Sequence, residues 1–397
     1  MLALIATLAV QALVSMAVLT PPVFAPVAAP EMGLSASQIG IYTSIVYAAA
    51  CVASLASGRL IAAQGPMRLS QWCLAVCGIG LALIGSASVA LVVAGAALIG
   101  LGYGPITPSS SQILMRTTPP HRRALVFSLK QTGVPIGGIL AGTAVPILIV
   151  AWGWRPAALA AALACVAVAL AVQPLRAGLD AEHRDVPKQG SGIFDAVRLV
   201  LGIPAMRRLA GASFAFAAAQ LCFGSFLVAS LTHEAGRTIV EAGIVLAVAQ
   251  VAGVGARILW GWIGDRFVAP RLLLGLLGLG MGVATALVGL FGPGWTMAAM
   301  IAVACIHGAT AIGWNGVYIA EIARLAPPGL AGMATGGALF VTFMGIVLSP
   351  PLFTALVATS GTYRVPFWVI AGAAALGGLA CLMPVREPAP RAAEASR

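Results

Sequence analysis

Long apolar stretches separated by short polar breaks run through the chain from Leu2 to Met383. None shows the period-two alternation of a half-exposed strand. Each is close to the ~20 residues that a helix needs to cross a bilayer. Twelve are predicted: Leu2–Val23, Ile39–Ser57, Leu69–Ala87, Val89–Ile113, Ala124–Val150, Pro156–Val172, Leu209–Leu231, Ala242–Ile263, Leu272–Leu290, Thr296–Ile322, Leu330–Val357 and Val365–Met383. Backbone in lipid must satisfy its own polar groups, and runs this long do so as helices. The pattern therefore reads as an all-α membrane protein with twelve transmembrane helices. The longest polar connection divides them into an N-terminal six-helix bundle (1–174), a linker (175–208) and a C-terminal six-helix bundle (209–384). A short disordered tail (385–397) is expected to follow.

Composition agrees: 60% of the residues are hydrophobic and 8% charged, too little charge for a water-exposed surface. The net charge of +11 does not point to nucleic acid, because the basic residues are scattered through short loops. They instead give an orientation. With the N-terminus inside, the inner segments hold Arg116, Arg122, Arg123, Arg207, Arg208, Arg266 and Arg271 among many others, whereas the outer loops hold Arg155, Arg237 and Arg364. Both termini are thus expected in the cytoplasm. The high Ala, Gly and Arg content suggests a bacterial inner membrane. All seven cysteines lie in apolar runs without a metal-site pattern. No P-loop, GxSxG or HExxH occurs, so neither an enzyme nor a cofactor is expected.

The two halves repeat. Ile39-Gly40-Ile41 aligns with Ala242-Gly243-Ile244, and Arg116-Thr117-Thr118-Pro119-Pro120 aligns with Arg324-Leu325-Ala326-Pro327-Pro328. Two bundles built on one plan place a cavity between them at mid-membrane. The stretch Gly261-Trp262-Ile263-Gly264-Asp265-Arg266 is similar to the loop motif between the second and third helices of each half in major facilitator superfamily transporters. The first copy keeps Gly58, Gly65 and Arg68 but has Ala62 and Ala63 in place of the Asp and Arg. The resemblance implies two pseudo-symmetric six-helix bundles and a gating latch in which Asp265 faces a neighbouring helix N-terminus. Gly133-Val134-Pro135-Ile136-Gly137-Gly138 resembles the antiporter signature of the fifth helix, with the proline one residue late.

Two cations lie inside spans. Arg257 is about 10 Å from the end of the eighth helix and Lys130 about 9 Å into the fifth. A charge in a span is costly unless it is paired or wet, and no span carries an acid near its centre. The eighth helix is similar to that of oxalate/formate and monocarboxylate transporters, which implies that Arg257 meets a substrate carboxylate and that Lys130 lies near it. The plain alternative is snorkelling to the headgroups. Gln250 shares the Arg257 face. Further wall candidates are His307, Trp314, Asn315 and Tyr318 in span ten, Tyr103, Thr107 and Ser110 in span four, Gln11 in span one and Gln220 in span seven. His307 is also a candidate for proton coupling.

The expected function is alternating-access transport of a small organic anion by a monomer in the lipid bilayer. Multidrug efflux and a non-transporting membrane sensor or scaffold are the alternatives.

Overall fold

A computed structural model describes residues 1–33, 39–181 and 194–384. Among them no strand occurs. Twelve helices are long and apolar enough to cross a membrane. The first half supplies Leu2–Ala25, Ile41–Gln64, Pro66–Ile84, Val89–Thr117, Pro120–Trp152 and Trp154–Asp180 as spans one to six. The second half supplies Pro204–Glu234, Val240–Arg266, Pro270–Val288, Met297–Leu325, Ala331–Ser360 and Arg364–Leu382 as spans seven to twelve. Each contains most of the corresponding sequence expectation. An even number of spans brings both ends of the chain to one side, called the termini face below. The expected tail lies outside the described residues, as does linker segment 182–193.

Each half has its own apolar core. Val14, Leu74, Leu81, Ile99 and Ala158 are buried in the first, and Phe216, Leu274, Met281, Ala304 and Phe367 in the second. Small residues let the helices approach. Gly137 lies where any Cβ would enter the backbone of Ala12 and Met16 on span one, and Gly308 likewise faces the Ala249 carbonyl on span eight. The glycines of the antiporter-like stretch are thus occupied in packing spans one and five.

Three spans are interrupted. Span four divides into Val89–Tyr103 and Ile106–Thr117, span five into Arg123–Gln131 and Gly133–Trp152, and span ten into Met297–Gly313 and Asn315–Leu325. Proline explains the first two. It has no N–H and cannot take up the carbonyl four residues back. Pro105 leaves the Leu101 carbonyl without its helical donor, and Pro135 leaves that of Gln131. At the third, Gly313 and Gly316 sit so close to Trp260 and Ser128 that no side chain fits.

The halves meet on the termini side. Asp265, at the end of span eight, accepts hydrogen bonds from the Ala124 and Leu125 amides, both 2.8 Å, at the start of helix Arg123–Gln131. Asp265 thus faces a neighbouring helix N-terminus, the contact that the motif implies. Gly261 packs on Ser128 and the Ala124 carbonyl, while Arg266 is exposed. Gly58 lies against Met333 at the start of span eleven. Where Ala62 removes the first carboxylate, Gln112 of span four takes up the task. Its Oε1 accepts from the Gly332 amide at 2.9 Å, and its Nε2 donates to the Gly329 carbonyl at 3.0 Å. A second carboxylate, Asp180, accepts from the Met67 and Arg68 amides at 2.7 and 3.1 Å. It caps span three within the first half.

Candidate functional site

A cavity of about 360 Å³ lies between the halves. Its wall takes Tyr47 from span two, Tyr103 and Thr107 from span four, Gln131 from span five, Gln220 and Phe223 from span seven, and Gln250 and Arg257 from span eight. Span ten adds His307, Trp314 and Asn315, and span eleven adds Thr342 and Phe343. No Asp or Glu is part of it among the described residues. One side is aromatic: Tyr47, Tyr103 and Phe343 have ring centroids 5.9 to 6.2 Å apart. On another, Phe223 stacks on His307 at 3.9 Å.

Arg257 is 3% exposed, so it does not reach out to headgroups. Its Nε and Nη2 donate to the Ile312 carbonyl at 3.1 and 2.9 Å, and its Nη1 donates to the Gln131 carbonyl. Both acceptors lie at the interruptions of spans ten and five. A helix C-terminus leaves carbonyls unpaired and carries partial negative charge, so a cation there is stabilised without an acid. The guanidinium has five N–H groups. Three are held by these carbonyls, and two remain on a side chain that lines the cavity.

Lys130 is 1% exposed and does not snorkel, but it is not on the cavity wall. Its Nζ donates to Gln11 Oε1 at 2.7 Å, Thr107 Oγ1 at 3.1 Å and Gln131 Oε1 at 3.1 Å. Three donors meet three neutral oxygens, the full capacity of an ammonium. Lys130 and Arg257 are neighbours, as expected, with Gln131 between them: its side-chain oxygen serves one and its main-chain oxygen the other.

Gln11 also lies off the wall. It accepts from Lys130 and from the Thr107 hydroxyl and donates to Ser15 at 3.1 Å, and span one supplies no wall residue among those described. Ser110 is turned back onto the Thr107 carbonyl at 2.9 Å. Tyr318 is buried behind Trp314, with ring centroids 5.1 Å apart. Span ten changes direction at Trp314, so a stripe drawn on an unbroken helix carries Tyr318 to the wrong side.

Gln220 accepts from the Asn315 amide at 3.2 Å. Neither ring nitrogen of His307 has a hydrogen-bond partner. Sequence reasoning did not single out Gln131, Tyr47, Phe343 or Gln112. Gln131 could have been found, because it stands four residues before Pro135 and must have an unclaimed carbonyl.

The profile of the Major Facilitator Superfamily matches residues 4–350 and, again, 209–397. A gentisate transporter of Corynebacterium glutamicum is 27% identical over 71% of this chain and 64% of its own, so the chain spans just under two thirds of that relative. The probable sulfoacetate transporter SauU of Cupriavidus necator is 24% identical over 91% of this chain and 88% of its own. Human monocarboxylate transporter 11 is 27% identical over 65% of this chain and 55% of its own. Among solved structures, the E. coli fucose:proton symporter FucP has a TM-score of 0.75 at 15% identity, covering 96% of this chain and 98% of that one. A bacterial homologue of the iron transporter ferroportin, in an outward-facing state, has the same score and identity over 96% and 97%. With twelve membrane-length helices, two packed halves and a family profile matched over residues 4–350 and 209–397, the chain belongs to the Major Facilitator Superfamily and is a multi-pass membrane protein.

Proposed function

We propose that this transporter moves a small organic anion, a carboxylate or sulfonate, whose charged group is held by the two free N–H groups of Arg257. One observation carries the reading. The cavity between the halves has an arginine on its wall and no acid among the described residues. A buried cation already stabilised by helix ends repels a cationic substrate and attracts an oxyanion. The relatives support this, since their names speak of gentisate, sulfoacetate and monocarboxylates. Gln220, Asn315, Gln250 and the aromatic side would hold the remainder of the substrate. The termini face is read as cytoplasmic, from its basic loops. Transport then proceeds by opening the Asp265 and Gln112 contacts while the far side closes.

The test is a thermal-shift series on the purified protein with carboxylates, sulfonates and lipophilic cations. A ligand at a hundred times its Kd stabilises by about 2.7 kcal/mol. Anions are expected to raise the melting temperature of wild type and to leave Arg257→Gln unmoved. Stabilisation by the cations alone, or equal anion shifts in both proteins, overturns the proposal.

A further inference from the structure

Lys130 is a buried cation that has no acid beside it and no place on the cavity wall. Its position still has a consequence for what the cavity displays. An ammonium only donates, so every oxygen around it must be an acceptor turned toward it. Gln11 and Gln131 each give it their side-chain oxygen. The two ends of an amide look alike in shape, and their assignment follows from the partners. Here the partner leaves no choice: reversing either amide would set NH2 against NH3⁺.

For Gln11 the nitrogen then goes to Ser15. For Gln131 the oxygens accept the hydrogen bonds found at this residue, from Lys130 and Arg257, and none is found at the nitrogen among the described residues; the residue forms part of the cavity wall. The same residue holds Arg257 through its main-chain oxygen. Its side chain therefore shares the cavity wall with the Arg257 guanidinium.

We propose that Gln131 is a second anion-binding residue, and that Lys130 is a positioning residue which fixes the Gln131 amide with its NH2 toward the substrate. This rests on the function proposed above and adds to it. The oxyanion is held by donors from both halves, Gln131 from the first and Arg257 from the second. The recognised chemistry is a planar or pyramidal oxyanion, a carboxylate or a sulfonate.

Lys130 acts on the substrate through Gln131, as a charge does when it orients a dipole. Removing it leaves the amide free to present its oxygen to the anion. It also leaves three buried oxygens without their donor, which lowers stability whatever the role of the lysine, so the distinction rests on the double variant and on rescue by arginine.

The experiment is calorimetric titration of the purified full chain with sodium gentisate and, separately, sodium sulfoacetate, alongside melting curves without ligand. Gln131→Met and Lys130→Met are each expected to raise Kd about tenfold, the loss of one hydrogen bond to a charged group. Because they remove one interaction, the double variant should bind no more weakly than either single one. Lys130→Arg should retain binding within about threefold, since a guanidinium also only donates. Gentisate offers a carboxylate alone, and sulfoacetate a carboxylate and a sulfonate together. Losses that add in the double variant, an unchanged Kd in Lys130→Met, or a loss of binding in Lys130→Arg overturn this inference. If Arg257→Gln binds both probes as wild type does, the function itself falls. If it loses them while the Lys130 and Gln131 variants do not, the function stands and this inference alone is lost.

Discussion

Replacing Asp265 by Asn tests whether the termini-side seam sets the balance between conformers. The Asp265 carboxylate accepts two amide bonds of 2.8 Å, from Ala124 and Leu125. Asn is nearly the same size but has one acceptor atom, so one amide loses its partner. The charge at the positive end of helix Arg123–Gln131 is lost as well. A capping interaction is worth roughly 0.5–2 kcal/mol, and a charge at a helix end roughly 0.3–1. The group is only partly buried, so the lower parts of those ranges apply, and about 1.4 kcal/mol is expected. That is tenfold in the ratio of conformers. Because Asp265 belongs to one half and its partners to the other, the loss falls wholly on the form closed at the termini face.

A matched control exists within the same molecule. Asp180 makes the same kind of contact, to Met67 and Arg68, but inside one half. Asp180→Asn should lower the melting temperature and leave the balance of conformers alone. The assay is a distance measurement between spin labels on cysteines placed at Gln64 and Arg266, both exposed and one in each half. Six of the seven native cysteines are buried and the other half-buried, so the labels go to the new sites. Asp265→Asn should enrich the longer distance about tenfold relative to the shorter. The reasoning is wrong if the distribution stays as in wild type, or if Asp180→Asn shifts it equally.

Gln112→Ala removes the bonds to Gly332 and Gly329 and should enrich the same longer distance by about fivefold, as a neutral cap is worth about 1 kcal/mol. Arg257→Lys keeps the charge but cannot hold the Ile312 and Gln131 carbonyls in one fork, so uptake of any transported anion should fall at least tenfold in proteoliposomes. Gly308→Val drives a side chain into the Ala249 carbonyl and should cost about 1–3 kcal/mol, read as a lower melting temperature and a smaller folded yield.

The fold was legible because lipid imposes a simple rule on sequence. A crossing helix must be long and apolar, and all twelve stretches obey it. The Asp265 contact was legible for a related reason, since a carboxylate after Gly264 has a helix start as its natural partner. The cavity wall was only partly so. Arg257, Gln250, Trp314, Asn315, His307, Tyr103, Thr107 and Gln220 line it, but Lys130, Gln11, Ser110 and Tyr318 do not. The difference lies in the interruptions and in long-range partners. Nothing local to Lys130 says that Gln11, far away in the chain, will accept its proton donors. Nothing local to Ala62 says that Gln112 will take over its partner helix. Helical periodicity carries through Trp314 only if the helix does, and there it does not.

The termini face is fastened unequally: a carboxylate clasp joins spans five and eight, and an amide clasp joins spans four and eleven. Dissolved salt weakens the first and hardly touches the second. Opening therefore need not be a symmetric parting of two mirror-image shells. In dilute buffer the seam along span eleven is expected to part before the one on span five, and added electrolyte is expected to narrow that difference.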